Sequence, residues 1–97
     1  MFARNVRFHV KDGKLDEFNK IFNADVLPIL KNQKGFKNEL TLVGKQDWLG
    51  ISMWHSRTSA DQYGTTAYPK VLEKLMPTLN GEPVVEQYEV GFTTMRA

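Results

Sequence analysis

The chain has no cysteine. That excludes a disulfide framework, a thiolate nucleophile and a cysteine-ligated zinc site. Histidine is nearly as scarce. His9 and His55 stand 46 positions apart, which makes a poor zinc site, and we expect no metal. There is no glycine-rich phosphate loop and no G-x-S-x-G; the glycines are single turn or strand residues. No apolar run approaches the roughly 20 residues of a membrane span. The opening "MFARNVRFHV" has no long apolar core and no small-residue cleavage site, so no secretory leader is expected. Nor is there a strong charge of one sign. Thirteen basic residues stand against eleven acidic ones, a net of +2, and stretches such as "KQDW" and "LDEF" interleave them. No basic stripe suits a phosphate backbone. These absences point to a cytoplasmic protein with neither nucleic acid nor membrane as a partner.

What remains is ordinary globular material. The chain has 97 residues, 41% hydrophobic and 25% charged, which suits one compact domain over residues 1–97. Two-residue alternation opens it. Phe2, Val6, Phe8 and Val10 share one parity, and Ala3, Asn5, Arg7 and His9 the other, the pattern of a strand with one apolar face. "KDGK" ends it at a turn.

From Lys14 the period turns helical. Leu15, Phe18, Phe22, Val26 and Ile29 recur three or four apart, with Ile21 and Leu30 widening the stripe. Pro28 predicts a kink or a new last turn, and Gly35 a stop. "FKNELTLVG" reads as a second strand with Phe36, Leu40 and Leu42 on one side, followed by a tight turn at "GKQD". "WLGISMWHS" reads as a third strand. Trp48 and Trp54 lie on one face of it and Leu49, Ile51 and Met53 on the other, so both faces are expected to be covered. Thr58 or Ser59 is expected to cap the next helix, with a break after Gly64 and a restart at Pro69. "VVEQYEVGFTTM" closes the chain as a strand with Val84, Tyr88, Val90 and Phe92 aligned.

The order is βαββαβ. Split βαβ connections place both helices on one face of a four-stranded antiparallel sheet, an α+β ferredoxin-like fold. The other face then meets water or a partner. The two-sided third strand favours a second copy related by a twofold axis. The same order serves RNA-recognition modules, but "DWLGISMWH" lacks the aromatic signature that those carry on their third strand.

Three stretches, "VRFHVKDGKLDEF", "VLPILKNQKGF" and "MWHSRTSADQY", together resemble the antibiotic biosynthesis monooxygenase domain. The resemblance runs over nearly the whole chain and rests on apolar positions, fold-defining glycines and a Trp-x-Ser at the end of the third strand. It implies a homodimeric α/β barrel built by packing two sheets face to face. It also implies a cavity between helices and sheet, and oxidation of aromatic or quinol-like molecules with dioxygen and no metal or flavin. Some relatives degrade haem instead, using an Asn, a Trp and a His. Alignment on Gly13 puts Val6 at the Asn position, Tyr63 at the Trp position and Glu73 near the His position. Asn5 falls one residue out of register, on the opposite face.

A cofactor-free oxygenase needs a dry pocket, an aromatic wall and a group to take a phenolic proton. The candidate substrate-binding residues are Trp54, Tyr63, Tyr68 and Phe22, with Val6 as the floor. His55 is the candidate base, although its parity is opposite to that of Trp54. Each also has a plainer reading, Trp54 as core and the tyrosines as surface packing. The alternative function is a ligand-binding or stress-related homodimer without turnover.

Overall fold

The computed structural model describes residues 1–45 and 47–95. Its elements are β1 (Phe2–His9), α1 (Leu15–Ile21), a π-helical segment (Phe22–Val26), α2 (Leu27–Lys31), β2 (Phe36–Val43) and β3 (Asp47–Trp54). They continue with α3 (Arg57–Thr66), α4 (Tyr68–Leu75), a 3₁₀ turn (Met76–Thr78) and β4 (Val84–Glu89). The four strands form one antiparallel sheet in the order β2-β3-β1-β4. This is the expected α+β arrangement.

Strand parity decides which face is covered. On β1, Phe2, Arg4, Val6 and Phe8 are buried, while Ala3, Asn5 and Arg7 are only half-buried. On β3, Trp48, Gly50, Ser52 and Trp54 point the same way. The helices cover this face, and Phe18, Phe22, Val26, Leu30, Ala60, Tyr63, Val71 and Leu75 complete the core. In the single chain the opposite face is open. Leu40, Leu42, Val84 and Tyr88 are exposed on it, and Leu49 and Ile51 are half-buried.

The first helical region keeps a stripe of four-residue steps, Phe18, Phe22, Val26 and Leu30, all buried. In a regular α-helix each such step overshoots a full turn by about 40°, so three steps would carry the stripe about 120° around the axis. The wider π turn between α1 and α2 takes up part of that drift and keeps the stripe against the sheet. Pro28 starts α2, where its missing N–H does least harm. Of the two expectations at Pro28 the new last turn is the one that forms, as α2, with the π segment ahead of it.

Several expectations need correction. Phe36 does not share a face with Leu40 and Leu42. The pairing shifts between Phe36 and Asn38, a bulge that leaves Phe36 beside Trp54 on the covered face and turns Leu40 and Leu42 outward. The cap of α3 is neither Thr58 nor Ser59 but Ser56, whose Oγ accepts from the Ser59 N–H at 3.2 Å. The last strand stops at Glu89, and Phe92 lies fully exposed beyond it. The turn at 44–47 is closed by the Gly44 N–H donating to the Asp47 carbonyl at 2.8 Å. Its Gln46 lies outside the described residues. No helix among them is long and apolar enough to cross a membrane.

Gly35 ends the first helical region with φ +82, and a Cβ there would stand 2.6 Å from that of Ser59. Conformation and close approach both demand glycine. Gly35→Ala should therefore cost at least about 1 kcal/mol, lowering Tm by about 4–8 °C or more. An unchanged thermal midpoint would contradict this account of the helix-to-strand junction.

Candidate functional site

Two aromatic clusters sit on the covered face. Phe8, Phe18, Phe22 and Trp48 form one, with Trp48 centred 4.7 Å from both Phe18 and Phe22. Phe36, Trp54, Tyr63 and Tyr68 form the other, where Trp54 stacks on Tyr63 at 5.0 Å. Between them a polar row crosses the sheet. Pairing places Glu39 beside Ser52 and Ser52 beside Arg4. Ser52 Oγ accepts from the Trp54 indole at 2.8 Å and donates to the Arg4 carbonyl at 3.4 Å.

Arg4 is 4% exposed. Its guanidinium carbon lies 4.3 Å from the Tyr68 ring centre and 5.6 Å from that of Tyr63. Two π faces thus take the place of a carboxylate partner. Gly64 of α3 faces the group, and a Cβ there would make only ordinary contact with it, at 3.7 Å. Burial lowers the pKa of Arg4, and the nearby Tyr68, Tyr63 and Asp61 act in the opposite direction.

Glu39 is the more unusual residue. Its Oε1 is out of solvent and has no hydrogen-bond partner among the described residues. Removal from water raises its pKa from the usual 4.5 to about 8. Gly50 makes room for the carboxyl, because a Cβ there would stand 3.2 Å from Glu39 Oε2. The tyrosines behave differently. Burial raises the pKa of Tyr63 strongly and that of Tyr68 less so, against a lowering by Arg4, and both remain neutral phenols near pH 7. Of these three groups, Glu39 alone changes its protonation state within about a unit of neutral pH.

The structure brings together four of the six candidate residues. Val6, Phe22, Tyr63 and Tyr68 line one internal cleft with Glu39, Gly50 and Ser52. Trp54 stands behind Tyr63 and does not line it. His55 is exposed and lies away from the cleft, tied to Gly35 through its backbone N–H. It is not placed to act as the base. Val6 faces the cleft and Asn5 the open face, as the parity argument required. Tyr63 is buried and Glu73 is exposed on α4.

The internal cleft has a volume of only about 20 Å³, room for little more than one water. Beside it lies a pocket of about 280 Å³, lined by Asn19, Phe22, Asn23, Leu27, Glu39, Thr41 and Trp48. Phe22 and Glu39 border both spaces. A larger, more polar concavity of about 470 Å³ lies at the far end of β1 and holds none of the candidate residues. There His9 Nδ1 lies 2.7 Å from Asp47 Oδ1, and Arg7 donates to Oδ2 of the same carboxylate at 2.8 Å. These pairs tie β1 to β3.

The sequence reading missed Arg4, Ser52 and Glu39. Arg4 left a signal, a charged residue on an otherwise apolar parity. The bulge hid Glu39 by shifting the covered parity of β2.

No family model matches the chain, and no curated protein matches it. Solved structures do. A protein of unknown function from Nitrosomonas europaea superposes with a TM-score of 0.81 at 17% identity, over 99% of this chain and 94% of its own. SnoaB, a cofactor-independent oxygenase from Streptomyces nogalater, gives 0.79 at 16%, over 98% and 97%. A provisionally named antibiotic biosynthesis monooxygenase from Caulobacter crescentus gives 0.78 at 19%, over 94% and 90%. At these identities the likeness establishes a common fold, the ferredoxin-like fold on which such oxygenases are built.

The raised pKa of Glu39 also affects stability. The unfolded chain ionises this carboxyl near its usual 4.5, whereas the folded chain holds the proton until about 8. Between those values the folded state binds more protons, so stability falls as pH rises and levels off above about 8. Glu39→Gln removes this slope. The Tm difference between variant and wild type should widen in the variant's favour from pH 5 to 8, by on the order of 15 °C if the full shift is realised, at about 1.4 kcal/mol per pKa unit and about 4–8 °C per kcal/mol. Parallel curves of Tm against pH would contradict the burial of an unpaired carboxyl.

Proposed function

We propose that the protein is a cofactor-independent monooxygenase acting on a small aromatic or quinol-like molecule held between helices and sheet. The observation that carries this reading is Glu39, a carboxyl with a pKa of about 8 bordering an aromatic-walled pocket. The fold likeness to a cofactor-independent oxygenase supports it.

Phenols ionise near pH 10. An ordinary carboxylate lies more than 5 units below that, so proton transfer to it is uphill by about 8 kcal/mol. A carboxylate at about 8 narrows the gap to about 2 units, or about 3 kcal/mol. The resulting phenolate is electron-rich and reduces dioxygen directly. In monooxygenation of a ring-activated methylene, CH₂ becomes C=O. One oxygen atom enters the product and the other leaves as water, with all four electrons coming from the substrate.

Glu39 acts as base only when ionised. Oxygen uptake on reduced naphthoquinones should therefore rise with pH through about 8. Glu39→Gln should lower the rate by about 10²-fold or more, the usual contribution of a positioned base. If no member of the panel consumes oxygen above the buffer rate, the protein binds such molecules without turning them over.

We propose further that two copies meet through the open sheet face, where Leu40, Leu42, Val84 and Tyr88 are exposed. Large apolar side chains exposed on one sheet face favour a partner. Sedimentation at micromolar concentration should give twice the 11.2 kDa chain mass. A stable monomer would rule out the covered face.

A further inference from the structure

The internal cleft bordered by Tyr63 and Tyr68 is too small for any ring system, at about 20 Å³. The adjoining pocket, about 280 Å³, stands at the lower end of ligand sites and suits one or two fused rings. Its walls have a clear polarity. Phe22, Leu27 and Trp48 are apolar. Asn19, Asn23 and Thr41 carry hydrogen-bonding groups at its exposed rim. Glu39 borders it from within, with one carboxyl oxygen unpartnered among the described residues. A ligand here reaches the carboxyl without entering the cleft, because Phe22 and Glu39 border both spaces.

We infer that the ligand binds between the first helical region and β2, as a planar ring system with oxygen substituents at opposite ends. One oxygen meets Glu39 and the other meets the carboxamides of Asn19 and Asn23. Asn19, Asn23 and Thr41 are then the residues that choose among ring substitution patterns, and Trp54, Tyr63 and Tyr68 form the rigid backing behind Glu39. The reasons are chemical. An unpartnered buried carboxyl oxygen requires a polar partner. Carboxamides on the facing rim offer donors and acceptors to a carbonyl or hydroxyl. The flat apolar side chains between them suit a ring. This inference rests on the reading of the protein as an oxygenase of quinol-like molecules.

The two tryptophans make the site readable. Trp48 lines the proposed pocket, and Trp54 lies behind Tyr63, outside it. Their indole N–H groups also differ. That of Trp54 is bonded to Ser52 at 2.8 Å, while that of Trp48 has no partner among the described residues. The test titrates 2-methyl-1,4-naphthoquinone, a non-reacting product-like probe, into ¹⁵N-labelled full-length protein at pH 7 and follows both indole signals. The signal of Trp48 should move saturably and that of Trp54 should stay. Asn19→Ala and Asn23→Ala change exposed side chains and should keep the wild-type spectrum, yet each should weaken binding by about two- to tenfold. Saturable movement of Trp54 alone, or unchanged affinity in both variants, would overturn the inference while leaving the oxygenase reading to the oxygen-uptake result. Absence of any saturable shift would overturn the inference outright. Oxygen uptake with reduced naphthoquinones would then show whether the oxygenase reading falls with it.

Discussion

A polar row crosses the covered face of the sheet, and the rest of the molecule is arranged around it. Glu39, Ser52 and Arg4 are neighbours on three adjacent strands, all facing the helices. Burying either charged group in an apolar interior is expensive unless something compensates. Arg4 is compensated by two tyrosine faces. Glu39 is compensated by keeping its proton. Two aromatic clusters flank the row and make the surroundings dry enough for that shift. Hence the feature that weakens the fold as pH rises is also the one on which the proposed base chemistry rests.

Much of the fold was legible from periodicity. The alternation in β1 and β3 and the spacing of Phe18, Phe22, Val26 and Leu30 report burial directly, whereas Leu15 of the same expected stripe is exposed and Ile21 and Ile29 are half-buried. The two-sided character of β3 was legible too, since Leu49, Ile51 and Met53 do face away from the helices. The departures share a cause. Wherever the backbone inserts a residue, parity and period stop predicting direction. The bulge near Phe36 reversed the expected face of β2 beyond it, and the π segment ahead of Pro28 was not foreseen. Neither irregularity leaves a compositional mark of its own.

The site was legible in its apolar half and hidden in its polar half. Val6 follows from strand parity and Phe22 from helix period, Tyr63 and Tyr68 stood out as aromatic rings with hydroxyls, and the four meet in one place. Attention to histidine as the natural base at neutral pH led to His55, which lies outside that place. A carboxylate is normally a poor candidate, because its ordinary pKa is far too low. Only the withdrawal of Glu39 from water makes it suitable, and that depends on the bulge between Phe36 and Asn38, which turns Glu39 toward the helices.

The central claim is that Glu39 holds its proton through neutral pH. A ¹³C NMR titration of the side-chain carboxyls tests it directly, with Glu39→Gln identifying the resonance. The account predicts one glutamate carboxyl titrating with a midpoint of about 8. A midpoint near the usual 4.5 would show that this carboxyl is solvated, and it would remove the base on which the proposed chemistry depends.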